Sequence, residues 1–183
     1  FLFANPEAKA QILNLEDPII ISSPSNSRDL VVDFLNGDNI LDFVVVGNTS
    51  DDIKVHIGQG GLVYNTPWSF GAADSPRRMA SADFDSDGFT DLAVTSSTGD
   101  LITIFLNNQN GAFNTSFTYP AGNTPVGITA NDFNNDGIID LACAIDLGDE
   151  KAVYLGNGNG TFQSALISFS GDRPQGIVSA DLN

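Results

Sequence analysis

The sequence has few of the residues on which many catalytic, metal and disulfide sites depend. It contains one cysteine and one histidine, so a disulfide within the chain and a metal site built from several histidines are both excluded. Cys143 lies in the apolar run Leu141–Ile145, and we interpret it as a small core residue. His56 lies on an alternating strand pattern, and we interpret it as a solvated residue without a catalytic role.

Positive charge is also scarce. Seven lysines and arginines stand against 23 aspartates and glutamates, which gives a formal net charge of −16. This balance disfavours nucleic acid and anionic membrane surfaces as partners. No uninterrupted apolar segment approaches the roughly 20 residues of a membrane span, so we expect no membrane insertion.

What the chain does contain is a repeated acidic loop. The stretch 83–91 returns as 132–140, which is a period of 49 residues, and Asp181 begins another copy after the same interval. A variant of the loop occupies residues 33–42. We call 33–42, 83–91 and 132–140 the first, second and third loops. Ten aspartates lie in these three loops and Asp181 is an eleventh, so much of the negative charge is local.

The spacing of the loops predicts a calcium site in each repeat. Oxygen side chains at positions 1, 3, 5 and 9, with a glycine at position 6 for the turn, suit a hard cation that takes about 6–8 oxygen ligands. Magnesium fits less well, because it retains more water and demands a stricter octahedron. The predicted ligands are Asp83, Asp85, Asp87, the Phe89 carbonyl and Asp91 in the second loop, and Asp132, Asn134, Asp136, the Ile138 carbonyl and Asp140 in the third.

The first loop is one residue longer than the other two. When it is aligned from its right end, Asn39 takes the place of the glycine, and asparagine tolerates the left-handed conformation of this turn. The spacing leaves open whether Asp33 reaches the ion across the inserted residue. The predicted ligands of the first loop are Asp33, Asn36, Asp38, the Ile40 carbonyl and Asp42.

Two other interpretations of the loops are weaker. Aspartate, asparagine and glycine form turns without any metal, but three copies in register favour a cation site. An EF-hand needs a glutamate at position 12 and flanking helices. Position 12 counted from Asp83 is Val94, and the flanks have strand patterns.

The order of elements repeats with the loops. A short apolar strand precedes each loop and a second follows it, as in Phe43–Val46. A third strand and a glycine-rich turn come next, and a fourth strand is predicted to open on Val63, Phe113 or Phe162. Four short strands per period of about 40–50 residues predict an all-β fold of propeller blades. The predicted repeats are 26–74, 75–123 and 124–172, with partial repeats at 1–25 and 173–183 of a single partial propeller over 1–183.

The chain resembles a known repeat family in two linked motifs. The phrase Ala82-Asp83-Phe84-Asp85-Ser86-Asp87-Gly88, with Leu155-Gly156-Asn157-Gly158-Asn159-Gly160-Thr161-Phe162 after the next loop, resembles FG-GAP or VCBS repeats, and the propeller of integrin alpha chains has similar calcium loops. The resemblance implies calcium in the hairpin between the first two strands of each blade. It does not imply one activity, because such propellers serve adhesion proteins, lectins and some polysaccharide lyases.

The number of repeats and the lack of a catalytic set shape the functional hypotheses. Propellers close with about 4–8 blades, so three complete periods indicate part of a longer propeller. We expect a secreted or cell-surface module that binds calcium and a protein or carbohydrate ligand, in adhesion or recognition and without catalysis. The alternative is the scaffold of a calcium-dependent polysaccharide lyase or hydrolase whose catalytic residues lie elsewhere.

Two further features bear on the ligand. Arg77 and Arg78 break the repeat pattern and suit an anionic or carboxylated partner, although a solvated loop explains them better. Several aromatic side chains could stack on sugar rings, although scattered aromatics more often pack between blades. These aromatics are Tyr64, Trp68, Phe105, Tyr119 and Tyr154.

Overall fold

A computed structural model describes residues 23–180 of the chain. Residues 1–22 and 181–183 lie outside it, so most of the first partial repeat and the end of the last one, including Asp181, are not described. Within 23–180 the chain forms three four-stranded antiparallel sheets. The all-β prediction of propeller blades is confirmed, and the three sheets are the blades of an incomplete propeller.

Each blade is a meander in which consecutive strands are neighbours, so each pair is closed by a hairpin. Blade one contains β1 (Ser27–Asp33), β2 (Asp42–Gly47), β3 (Asp52–His56) and β4 (Trp68–Gly71). Blade two contains β5 (Pro76–Ala82), β6 (Asp91–Ser96), β7 (Leu101–Leu106) and β8 (Thr115–Pro120). Blade three contains β9 (Pro125–Asn131), β10 (Asp140–Ile145), β11 (Glu150–Tyr154) and β12 (Leu166–Phe169).

The second strand of each blade is the most buried. Every residue of β6 and of β10 is buried, and β2 is buried at all but one position. A strand that is apolar or small on both faces suits a sheet that packs against a neighbour on either side. The blades contact one another mainly through their first strands, β1 against β5 and β5 against β9, which places these strands innermost.

Two hydrophobic clusters hold the blades together. One joins blades one and two around Val44, Ile53 and Phe105, and the other joins blades two and three around Ile104 and Leu141. Fully burying a side chain of this size contributes about 1.5–3 kcal/mol, so these clusters dominate the packing between blades.

The fourth strands begin later than the sequence predicted. They open at Trp68, Thr115 and Leu166, a few residues after Val63, Phe113 and Phe162. Phe113 and Phe162 are 2% and 7% exposed, because they turn into the core before the strand starts. Phe162 forms only an isolated bridge with Gly156, which closes the glycine-rich turn.

The prediction for His56 was wrong, and that for Cys143 is confirmed. His56 is fully buried, and its ring stacks on Phe43 with centroids 4.4 Å apart. Alternation on a single strand suggested exposure, but β3 is covered on both faces. Cys143 is buried in the cluster between blades two and three. Within the described part of the chain, no helix has the length and apolar character that crossing a bilayer requires.

Candidate metal centre

The acidic loops connect the first and second strands of each blade. The second loop leaves β5 and enters β6 at Asp91, and the third leaves β9 and enters β10 at Asp140. The first loop joins β1 to β2 in the same way. All three loops therefore lie at the same end of the propeller, where the innermost strands finish.

The second loop brings three predicted ligands together. Carboxylate oxygens of Asp83, Asp85 and Asp91 all lie within 4.8 Å of one another. Asp87 belongs to the same turn, because its backbone N–H donates to Asp83 at 3.1 Å and to Asp85 at 3.2 Å. Three of the four predicted carboxylates therefore converge on one small volume, and Asp87 belongs to the same turn.

The turn that gathers them depends on two left-handed residues. Ser86 has a φ of 64° and Gly88 a φ of 89°, and glycine adopts such values without steric cost. The second oxygen of Asp83 accepts the N–H of Gly88 at 2.9 Å, so the first predicted ligand also closes the turn. The Asp87 carboxylate accepts the N–H of Phe89 at 2.9 Å. The backbone of the loop is thus folded around the oxygens of its own side chains.

The last aspartate of the loop is buried and serves as an anchor. Asp91 has no exposed surface, and its two oxygens accept the N–H groups of Phe84 at 2.9 Å and Asn107 at 2.8 Å. Burial raises the pKa of Asp91 to about 6, although these hydrogen bonds oppose the shift. Each carboxylate oxygen has a further lone pair, so the anchor can also coordinate a cation.

Crowding of like charge distinguishes this loop chemically. The pKa of Asp85 is raised, first by burial and then by the charges of Asp87 and Asp83. A divalent cation bound among these oxygens would relieve the repulsion. The donor set consists of oxygens alone, which is the set that calcium prefers. The residues present therefore fit the predicted ion.

The third loop repeats this arrangement with one substitution. Asp132 accepts the N–H groups of Asp136 at 3.2 Å and Gly137 at 2.8 Å, as Asp83 does in the second loop. Asn134 replaces a carboxylate, and its amide donates to Asp136 at 2.9 Å. Asp140 is a buried anchor like Asp91 and accepts the N–H of Gly156 at 2.8 Å. The third loop thus has the same frame and one charge fewer.

The first loop keeps the anchor but uses its first aspartate differently. Asp42 is fully buried and accepts the N–H groups of Leu35 and Gly58, and Asp38 accepts the N–H of Ile40. Asp33, however, accepts its own neighbour's N–H at 2.8 Å and the hydroxyl of Thr90, in the second loop, at 3.1 Å.

The structure therefore groups Asn36 and Asp38 in the first loop as the alignment predicts, through an amide-to-carboxylate bond of 2.9 Å. The predicted insertion in the first loop is wrong, because Asp33 ends β1 at the strand position of Ala82 and Asn131 in the other blades. Phe34 takes the place of Asp83, and Asp33 turns toward the neighbouring blade.

The N–H groups of Ile40, Phe89 and Ile138 each donate to a loop aspartate. That the carbonyls of these residues coordinate the ion stays a prediction.

Two residues that support the second loop were not predicted. Gln109 in the glycine-rich turn donates to Asp87 at 3.2 Å. Asn107 is buried and donates to the Leu35 carbonyl of the first loop at 2.7 Å and to the Thr90 carbonyl at 3.1 Å. The sequence repeat could have indicated a special role for Asn107, because the equivalent positions in the other repeats are Gly58 and Gly156.

The predicted sugar-stacking aromatics separate into two groups. Phe105 and Tyr154 are buried, and Tyr119 packs edge-on against Tyr154 with centroids 6.3 Å apart, so these three side chains fill the blades. Tyr64 is half-buried edge-on against Phe43, with ring centroids 4.8 Å apart, whereas Trp68 is 40% exposed on β4. Among the five aromatics, Trp68 remains the most accessible for stacking.

Comparison with protein families gives three matches along the chain. The model of the FG-GAP-like repeat matches residues 35–94, 83–143 and 132–183, and each match contains at least one of the acidic loops in full or in large part. Together the matches span well over half of the chain. A search of curated protein sequences finds no match.

Comparison with solved structures gives the same fold. A lectin of Agrocybe aegerita, described by its specific recognition of non-reducing terminal N-acetylglucosamine, is similar to this chain with a TM-score of 0.55 and 21% identity. The similarity covers 76% of this chain and 37% of the lectin chain, so the sequence spans well under half of that protein. At this identity the likeness shows the propeller fold alone.

Proposed function

The chain belongs to the FG-GAP-like repeat family, and from that premise we propose that it is a calcium-binding propeller module that recognises a protein or glycan outside the cell. The module is proposed to act in adhesion or recognition and to carry out no catalysis.

The observation that carries the proposal is the convergence of carboxylates in the second loop. Oxygens of Asp83, Asp85 and Asp91 lie within 4.8 Å of one another, and backbone hydrogen bonds hold the turn in that form. The third loop has the same hydrogen-bonded frame. A hydrogen-bonded frame that recurs with the repeat period supports the same role for the second and third loops.

The location and the ligand class follow from chemistry and fold. Extracellular calcium modules bind in the range of about 10⁻⁴–10⁻³ M, so weak sites on exposed loops suit a secreted or cell-surface protein. The Agrocybe aegerita lectin that shares this fold is described as recognising a sugar, which supports a glycan as one ligand class. Trp68, exposed on β4, offers a stacking surface for a sugar ring.

A role without catalysis is favoured by the state of the candidate acid and base groups. His56 is buried against Phe43, where no solvent-borne substrate reaches it. In residues 23–180 the carboxylates that group together are those of the second loop, which the proposed cation would engage.

Calorimetry tests the calcium proposal. The folded chain is titrated with calcium chloride, and binding of at least two ions is expected, at the second and third loops. Asp85→Ala should remove the second-loop site, whereas Asp74→Ala, an equal charge change at an exposed residue between β4 and β5, should leave it. A folded sample that binds no calcium at millimolar concentration would disprove the proposal.

A further inference from the structure

Three of the four arginines of this acidic chain line one cavity. The cavity has a volume of about 290 Å³ and lies between the innermost strands. Its polar and charged lining stands out in a chain with only seven basic residues. The residues around it are Ser27, Arg28, Arg77, Arg78, Val126 and Gln175.

The arginines occupy β-bulges. Between the pairs Ser27–Gly47 and Asp29–Val46, Arg28 is an extra residue without a partner on β2. In blade two, Arg77 and Arg78 together oppose the single residue Thr95. A bulge re-aims a side chain that would otherwise follow the alternation of the strand. The equivalent bulge in blade three carries Val126, so the bulge belongs to the fold while the charge belongs to blades one and two.

Two of these guanidinium groups are available to a ligand. Within the described residues, no carboxylate lies within ion-pair distance of Arg28 or Arg77. Arg77 donates through Nε to the Ser97 hydroxyl at 3.1 Å, which orients the side chain without neutralising it. Arg78 contacts Asp29 at 3.7 Å, a loose pair in which the arginine side chain is 56% exposed.

The nearby carboxylates are engaged elsewhere. Asp29 accepts the backbone N–H of Met79 at 2.8 Å. Asp146 is paired with Arg173 at 2.9 Å, and this contact lowers the pKa of Asp146. The charge of Arg77 also helps to lower the pKa of Asp146, but neither carboxylate lies within ion-pair distance of Arg28 or Arg77.

The cavity is well separated from the acidic loops. Arg28 and Arg77 are the second residues of β1 and β5, and the loops follow the far ends of the same seven-residue strands. At about 3.3 Å per residue, the two ends are roughly 20 Å apart. This exceeds the Debye length of about 8 Å at physiological ionic strength, so the loop charge is largely screened from a ligand at the arginines.

We propose that this cavity binds a small ligand through a carboxylate or sulfate group. Guanidinium groups match the geometry of both oxyanions with paired N–H donors. Gln175 also lines the cavity, but its side chain is close enough to Asp146 to help lower the pKa of that carboxyl. The volume of about 290 Å³ lies just below the roughly 300–1,000 Å³ of pockets for drug-sized ligands, so the cavity suits one sugar-sized unit. None of the residues that line the cavity is a predicted calcium ligand, so this proposal can be correct even if the proposed function above is wrong.

The test uses the full chain in saturating calcium, titrated separately with sodium glucuronate and sodium sulfate and followed by amide chemical shifts. Shifts that saturate and centre on β1 and β5 are expected, and the tighter of the two probes identifies the group. Methyl glucoside, which is neutral, should give no shifts. If neither anion produces saturable shifts at these strands, the proposal is wrong.

Matched variants decide whether the arginines are responsible. Arg28→Gln and Arg77→Gln should each weaken the tighter probe about tenfold, as expected for loss of a charge-assisted hydrogen bond. Lys151→Gln, an equal charge change on β11, should change it less than twofold. Arg28 is exposed, so Arg28→Gln should keep the wild-type melting temperature. Equal weakening by Lys151→Gln would show general charge attraction and overturn the proposal.

Discussion

The second and first loops occupy the same place in neighbouring blades, yet they use their first aspartate in different ways. Asp83 closes its own turn by accepting the N–H groups of Asp87 and Gly88. Asp33 instead accepts the Thr90 hydroxyl in the next blade. The buried anchor at the end of the loop is unchanged, since Asp42 and Asp91 make equivalent contacts.

The difference separates what the fold needs from what a cation needs. In the strand register Asp33 pairs with Asp42 as Ala82 pairs with Asp91, so the first loop is no longer than the second and the blade forms in either case. Phe34 stands where the second loop has Asp83, and this substitution removes one carboxylate from the turn. A repeat can therefore keep its blade and its anchor while it loses part of its ligand set.

The largest expected effect comes from removing calcium. Clustered carboxylates repel one another without the ion, so excess chelator should lower the melting temperature. At a calcium concentration of 100 times Kd, each occupied site adds about 2.7 kcal/mol to the free energy of unfolding, or about 5 kcal/mol for two sites. At about 2–4 °C per kcal/mol, the melting temperature should fall by roughly 10–20 °C when calcium is removed. Thermal unfolding with chelator and with excess calcium measures it, and equal melting temperatures would contradict the calcium sites.

Single substitutions should rank the loops. Four carboxylates in the second loop, three in the third and the displaced Asp33 in the first predict affinity in that order. Repulsion among the four carboxylates opposes the high affinity of the second loop and acts to reverse the first two ranks. It does not affect the last rank, which belongs to the first loop. Asp87→Ala, Asp136→Ala and Asp38→Ala, each titrated with calcium, should remove the tightest, the middle and the weakest site. If Asp38→Ala removed the tightest site, the ranking would be wrong.

The sequence predicted the blades because the period and the apolar pattern are local signals. The 49-residue repeat located the second strands and the acidic loops, and the ligand spacing identified the turn that gathers Asp83 and Asp85. It could not place Asp33, whose orientation depends on Thr90, a residue 57 positions away. The bulge at Arg28 was equally hidden, since it appears only once β1 is paired with β2.

Loss of the bridge between the loops should destabilise the second blade. Asn107→Ala removes a buried amide that donates to the Leu35 and Thr90 carbonyls and leaves both groups short of a donor. The expected cost is about 1–3 kcal/mol in the free energy of unfolding. Denaturant unfolding in excess calcium measures it. Asn108→Ala changes a neighbour with no side-chain hydrogen bond among the described residues and is the control; an equal loss for both would refute the bridging role.

Restoring a carboxylate to the first loop should have a smaller effect. Phe34 stands 49 residues before Asp83 and is 46% exposed, so Phe34→Asp places a carboxylate at the matching position. One added carboxylate should tighten the first-loop site several-fold, by roughly 1 kcal/mol at an exposed site. Phe34→Asn, which adds an oxygen without charge, should tighten it less. Unchanged calcium affinity in both variants would show that an oxygen at this position does not reach the ion.

The smallest expected effect concerns a second difference between blades one and two, where His56 stands in place of Phe105. Burial, and secondarily the charge of Lys54, lowers the pKa of His56 below its ordinary value of 6.5. The unfolded chain therefore takes up a proton first, so the stability that neutral His56 contributes is present above pH 6.5 and is lost as the pH falls below it. Asp91, with its pKa raised to about 6, would make stability rise as the pH falls in the absence of calcium, so excess calcium is kept throughout.

His56→Phe makes blade one like blade two, and the melting temperature of this variant should fall less than that of the wild type between pH 7.5 and pH 5. Parallel melting curves for the two proteins would show that the buried ring does not titrate in this range.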